Sequence, residues 1–155
     1  MLISGVALDT NAVRIAVLGV KDVPGMAFKV FDKLAKKNIN VDVILQSIGR
    51  AGTKDISFTV DGNDLEDAVS VLEANKKRLG YQELHSDRHI AKLSIVGAGM
   101  MSNPGVAAKM FESLYNEGVN INMISTSEIR VTVLIKESDG VKAMNAVHDA
   151  FNLAD

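Results

Sequence analysis

The amino-acid sequence contains an internal repeat, which limits the possible folds more than any other feature. Residues 22–46 read DVPGMAFKVFDKLAKKNINVDVILQ, and residues 102–126 read SNPGVAAKMFESLYNEGVNINMIST. The preceding segments also match, with RIAVLGV at 14–20 and KLSIVGA at 92–98. A repeat of this length indicates two copies of one structural unit.

Each copy has the pattern of five consecutive elements. In the first copy Val13, Ile15 and Val17 alternate with polar or small residues, as in a half-buried strand. A Pro-Gly pair suits the first helical turn, and the apolar helical stripe after it stops at Asn38, or at Gly118 in the second copy. The remaining elements of the first copy are two strands and a helix, at 41–46, 56–60 and 65–72. The order β-α-β-β-α is that of a ferredoxin-like α+β unit, with helices on one face of an antiparallel sheet.

The fourth strand of each unit has to come from a different part of the chain. YQELHSD at 81–87 serves the first copy, whereas only FNLAD follows the last helix of the second. We expect ISGVALD at 3–9 to complete the second sheet, because an unpaired edge is a liability. The first unit then spans 11–88, and the second spans 89–155 plus 2–9. The alternative is that residues 1–10 form a loose tail. The sheet face without helices predicts dimerisation or sheet-to-sheet pairing.

Composition excludes several classes of protein. The chain of 155 residues has no cysteine, which excludes disulfides, zinc–thiolate sites and a cysteine nucleophile. Net charge is −2 and the basic residues are scattered along the sequence, so we predict no nucleic-acid partner. No apolar run is long enough for a membrane span, so we predict no membrane partner. A cytoplasmic location is expected.

Catalytic and cofactor signals are weak. His85 and His89 flank Asp87, but solvated polar residues are the favoured interpretation over a metal or acid–base site. Gly97-Ala98-Gly99 follows a strand, yet Ser102 stands where a dinucleotide motif needs its third glycine. The sequence therefore predicts no catalytic residue, no metal and no cofactor.

The loop before the first helix of each copy is the best candidate for a binding site. Backbone N–H groups and the helix dipole attract an anion such as an α-carboxylate, and Gly25 and Gly105 let a ligand approach the backbone. Asp22 could hold an ammonium group, and the two features together suit an amino acid. The alternative is that Asp22, and Ser102 or Asn103, only cap helices.

These motifs resemble the ACT domain, a βαββαβ module that often binds amino acids. The pieces VGAGM, PGVAAKMFESL and INMISTSEIRVTVLI, together with ISGVALD and the 14–46 segment, closely resemble the tandem ACT region of aspartate kinase over nearly the whole chain. The kinase domain of that family lies N-terminal to the ACT pair and is absent here. The resemblance therefore implies a regulatory part of the enzyme without a catalytic site.

The family also implies partners. Feedback effectors of aspartate kinase are usually threonine, lysine or both, bound at interfaces between ACT units. We expect such an effector, a catalytic aspartate kinase subunit or domain as partner, and a homodimer. Some members make the regulatory region as a separate small subunit, and this chain matches either that product or a fragment of a longer kinase.

The site residues are carried over from the family by position. Asp22 would bind the effector ammonium, the amides near Gly25 and Ala27 its carboxylate, and Gln46 would add a hydrogen bond. The complete sets are Asp22, Pro24, Gly25, Met26, Ala27, Asn40 and Gln46 in the first copy, and Met101, Ser102, Asn103, Asn120, Ile121, Ser127 and Glu128 in the second. Glu128 favours lysine at the second site, and the small polar first pocket suits threonine. The segment SIGRAGTKD after Gln46 is shorter than in several relatives, which leaves open whether Thr53 and Asp55 reach the ligand.

Two other functions compete with this interpretation. A stand-alone ACT regulator would act on a partner other than the kinase. A small enzyme on a ferredoxin-like fold would need an acid, base or nucleophile cluster, and the sequence has no convincing one.

Overall fold

The structure is a computed structural model that describes residues 3–49, 51–98 and 105–152. Its strands are β1 (Ile3–Asp9), β2 (Ala12–Lys21), β3 (Ile44–Ile48), β4 (Thr53–Asp61), β5 (Glu83–Asp87), β6 (Ile90–Gly97), β7 (Met123–Thr126) and β8 (Arg130–Lys136). Its helices are α1 (Met26–Ala35), α2 (Leu65–Ala74), α3 (Lys76–Leu79), α4 (Gly105–Asn116) and α5 (Gly140–Ala150). Residues 11–88 form one compact unit, and the residues up to Thr10 join those from His89 onwards in the other.

Each unit contains one antiparallel sheet of four strands. The strand order is β3-β4-β2-β5 in the first unit and β7-β8-β6-β1 in the second. In the first unit α1 lies between β2 and β3, β3 and β4 form a hairpin, and α2 and α3 lie between β4 and β5. The predicted ferredoxin-like α+β fold is therefore confirmed.

The N-terminal strand belongs to the second sheet. β1 pairs antiparallel with β6, with Val6 opposite Ile95 and Leu8 opposite Leu93. It takes the position that β5 takes beside β2 in the first sheet. The prediction that this strand completes the second unit is confirmed, and the loose-tail alternative is wrong for residues 3–9.

The core of the first unit follows from the two periodicities in the sequence. Ile15 and Val17 of β2 point to the helices and are fully buried, as are Val30 and Leu34 one turn apart on α1. Burial of one such side chain is worth about 1.5–3 kcal/mol. The ring of Phe58 packs edge-on against Phe31, with centroids 5.4 Å apart. The second unit buries a corresponding cluster around Ile95, Met110 and Leu114.

Left-handed residues end the first helix of each unit. Asn38 has a φ of 58°, and the N–H of Ile39 donates to the carbonyl of Leu34 while that of Asn38 donates to Ala35. Gly118 has a φ of 72° in the second unit. This bonding is the Schellman motif, which satisfies carbonyls at a helix end. The predicted helix stops are therefore correct.

The second strand of the first unit begins later than the sequence predicts. Regular strand structure starts at Ile44, not at Val41. The residues just before it still bond to Thr59 of β4. The N–H of Thr59 donates to the carbonyl of Val43 at 3.0 Å, and the Thr59 side-chain oxygen accepts the N–H of Val43 at 3.1 Å. Leu134 holds the equivalent place on β8, and there the strand starts one position earlier, at Met123.

Candidate functional site

The end of β2 is bent by a bulge that positions the candidate loop. Val17 lies opposite Ile56, but the next paired residue is Val20, opposite Lys54. Gly19 within the bulge has a φ of 73°, and its N–H donates to Oδ1 of Asp55 at 2.9 Å. This bond gives Asp55 a structural role in the first unit.

The first turn of α1 carries no side-chain cap. Gly25 is the N-cap residue, with a φ of 88°, and no side chain bonds to the turn. The first N–H groups of a helix have no partner inside the helix, so those of α1 point towards the loop. Asp22 does not cap α1, and the prediction that Pro24 lies in the first helical turn is wrong because Pro24 precedes the N-cap.

Asp22 is held by two contacts at the edge of this loop. Its N–H donates to the carbonyl of Gly52 at 2.9 Å. Its Oδ1 lies 2.9 Å from Nζ of Lys54, and 55% of its side chain is exposed. A carboxylate, an ammonium group and a helix N-terminus therefore lie on adjacent segments, as recognition of a zwitterion requires.

The other first-unit candidates differ in exposure. Gln46 lies opposite Ile56 on the edge strand β3, and its side chain is exposed. Asn40 is exposed in the connection that precedes β3. Met26 is buried in the core, so only its backbone can face a ligand, and Ala27 packs partly against that core.

The second-unit candidates include a turn residue and a core residue. Ser127 closes the turn between β7 and β8, since its N–H donates to the carbonyl of Arg130 at 2.8 Å. Ile121 packs against the second core, whereas Asn120 and Glu128 are exposed. Met101, Ser102 and Asn103 lie outside the described residues, as does Pro104 before α4.

Cationic side chains gather on the helical face of the first unit. A groove of about 420 Å³ between α1 and α3 is lined by Lys29, Asp32, Lys33, Arg78 and Leu79. The basic residues look scattered in the sequence, but α1 and α3 bring three of them together. Asp32 balances part of this charge and pairs with Lys36 at 3.0 Å.

The described part of the chain offers little for catalysis. His85 lies 3.4 Å from Glu83 on β5, and His89 lies 3.9 Å from Glu137. Among residues 3–49, 51–98 and 105–152, no group of three or more acidic or histidine side chains could hold a metal ion. None of the helices in these ranges has the length and apolar character to cross a membrane.

A model of the ACT domain family matches the chain twice, over residues 15–75 and 93–151. The two matches fall on the two units and together cover well over half of the chain. The chain therefore belongs to the ACT domain family.

Its relatives place it more narrowly. An aspartokinase of Bacillus sp. (strain MGA3) is 45% identical over 154 residues, which are 99% of this chain and 38% of that protein. An aspartate kinase of Pseudomonas putida is 45% identical over 98% of this chain and 37% of its own length. The chain thus spans a little over a third of these curated relatives.

Two solved structures match over nearly their whole length. The ligand-free regulatory subunit of aspartate kinase from Thermus thermophilus has a TM-score of 0.91 and 40% identity, over 97% of this chain and 99% of that one. A structure of aspartokinase alpha and beta subunits contains a chain with a TM-score of 0.89 and 44% identity, over 97% and 99%. The chain is thus similar over nearly its whole length to regulatory subunits of aspartate kinase, in agreement with the resemblance of its motifs.

Sequence reasoning missed Lys54 and the bulge that presents Asp22. The signal for Lys54 is its spacing, because a lysine two residues before the buried Ile56 shares that residue's face of β4. The signal for the bulge is Gly19, a glycine near the end of a strand.

Proposed function

We propose that the chain binds end-product amino acids, threonine, lysine or both, and thereby regulates aspartate kinase by feedback. The observation that carries this proposal is the loop of the first unit. There the Asp22 carboxylate already binds one ammonium group, that of Lys54, at 2.9 Å. The loop leads into the first turn of α1, which has no side-chain cap.

The loop matches the two charges that all amino acids share. The carboxylate of the effector binds the N–H groups after Gly25, where the helix dipole adds about 0.3–1 kcal/mol. Gly25 leaves space for this approach, since a Cβ placed there would meet no atom within 4 Å. The ammonium of the effector binds Asp22, in the manner of the Lys54 ammonium.

The remaining contacts of the site come from strand β3. Ile44, Gln46 and Ile48 lie on one face of this edge strand, and Ile48 is 94% exposed. Exposed apolar residues on an edge strand favour pairing with another chain. This supports a homodimer in which Gln46 of one chain completes the pocket of the partner chain. Asn40, Asn120 and Glu128 are the exposed candidates to line such pockets.

The catalytic part of aspartate kinase is the proposed partner. The resemblance to a chain in a structure of aspartokinase alpha and beta subunits supports this choice. An effector that favours one arrangement of the ACT units shifts the attached kinase between active and inactive states, with a coupling free energy of about 1–3 kcal/mol. The expected location of such an assembly is the cytoplasm.

The test is calorimetric titration of the chain with threonine and with lysine, with light scattering on the same samples. Saturable binding of either amino acid together with a dimeric mass is the expected result. A folded chain that takes up neither amino acid, alone or mixed with an aspartate kinase catalytic subunit, would refute the proposal. Recovery of a different partner would favour a stand-alone ACT regulator.

A further inference from the structure

Lys54 of β4 places a positive charge of the protein itself at the first-unit site. It lies on the same face of β4 as Ile56 and Phe58, which are fully buried. Only 24% of its side chain is exposed, so packing holds its stem and leaves the ammonium end at the loop. Nζ lies 2.9 Å from Oδ1 of Asp22, on the carboxylate proposed to receive the effector ammonium.

We propose that Lys54 is a specificity-determining residue of the first-unit site. It neutralises Asp22 before a ligand arrives and remains beside the carboxylate afterwards. The site therefore takes an amino acid with an uncharged side chain in preference to one with a second positive charge. This inference rests on the proposed function, because it concerns the choice among amino acids that bind there.

The charges around the loop support this preference. A carboxylate has two oxygens and can accept hydrogen bonds from two ammonium groups at once. With Lys54 and an effector ammonium both on Asp22, the cluster carries a net positive charge. The Asp55 carboxylate belongs to the other face of β4, since neighbouring residues of a strand point to opposite faces, and its Oδ1 accepts the N–H of Gly19.

The size of the preference follows from Coulomb's law. A lysine effector places a second ammonium near Lys54, whereas threonine places a hydroxyl there. At a separation of about 6 Å and an effective dielectric constant between those of water and a protein surface, the repulsion weakens binding by about three- to tenfold. Removal of the Lys54 charge should shift selectivity by that factor.

The experiment measures threonine and lysine affinities of the whole chain and its Lys54→Met variant by calorimetry. Methionine keeps an apolar stem of similar length and removes the charge. Only the binding that weakens in an Asp22→Ala variant is assigned to the first-unit site. The expected result is a ratio of affinities that moves about three- to tenfold towards lysine. Lys54→Arg keeps the charge and should keep the wild-type ratio.

A matched control removes a lysine of the second unit. Lys92 pairs with Asp9 at 3.8 Å, and 15% of its side chain is exposed. Lys92→Met should leave the ratio unchanged. Thermal unfolding followed by circular dichroism confirms that each variant is folded.

The outcomes separate this inference from the proposed function. An unchanged ratio in folded Lys54→Met overturns the inference alone. An equal loss of both affinities also overturns it, because Lys54 would then bind the carboxylate that both amino acids share. A wild-type chain that binds neither amino acid overturns the proposed function and the inference together.

Discussion

Removal of the Asp22 carboxylate tests the proposed site most directly. In Asp22→Ala the effector ammonium loses a charge-assisted hydrogen bond, an interaction worth about 1.5–3 kcal/mol. Because 55% of the Asp22 side chain is exposed and water competes there, the lower end of that range applies. The dissociation constant should therefore rise about tenfold.

The same substitution should barely change the stability of the fold. The ion pair of Asp22 with Lys54 is solvent-accessible, and such pairs contribute about 0–1 kcal/mol. Asp22 also caps no helix, so no helix end is lost. Urea unfolding should show a free energy of unfolding within about 1 kcal/mol of the wild type. Loss of binding then reports on the site and not on the fold.

The assay is calorimetric titration with the effector that binds the wild-type chain. Asp32→Ala is the matched control, because Asp32 forms an ion pair of similar length, 3.0 Å, on the same unit but outside the loop. It should leave the dissociation constant unchanged. A folded Asp22→Ala variant with wild-type affinity would contradict the assignment of Asp22 as the ammonium acceptor.

Three further predictions concern the site and the fold. Gln46→Ala should weaken effector binding about two- to tenfold in calorimetry, through loss of one hydrogen bond. The melting temperature measured by circular dichroism should stay the same, because the side chain is exposed. Gly118→Ala should lower the free energy of unfolding by about 1–2 kcal/mol in urea, since its φ of 72° is left-handed; an unchanged value would show that the helix end rearranges. Burial, aided by the nearby Glu73 charge, raises the pKa of Tyr81 above 10.0, so the folded state keeps a proton that the unfolded state loses. Stability should fall as the pH rises above about 10, and Tyr81→Phe should lose this dependence together with about 1 kcal/mol from the bond to the carbonyl of Leu72.

The features that the sequence predicted correctly depend on local chemistry or on the repeat. Asn38 and Gly118 end helices because asparagine and glycine adopt a positive φ more readily than other residues. The identity of one residue is therefore enough to predict such a helix end. The pairing of β1 with β6 was predictable because the second copy lacks a fourth strand, while the first shows where that strand belongs.

The features that the sequence did not predict depend on side chains from distant segments. Lys54 reaches Asp22 only because the bulge at Gly19 turns the end of β2 towards it. The Thr59 side chain accepts the N–H of Val43, and no hydrophobic periodicity predicts such a bond. Pro24 precedes the helix because Gly25 is left-handed and forms the N-cap. A Pro-Gly pair in the sequence fits equally well before a helix or in its first turn.

The pairing of β1 with β6 makes the first unit an insertion within a hairpin of the second. Residues 10–89 join two adjacent antiparallel strands, with Asp9 opposite Lys92. As an unfolded loop of this length, the insertion would raise the entropic cost of the hairpin by about 3 kcal/mol over a short turn. The folded first unit removes most of that cost, because β2 and β5 pair near its two ends, with Arg14 opposite Asp87. A ligand that stabilises the first unit therefore also stabilises the second sheet, through the connectivity of the chain alone.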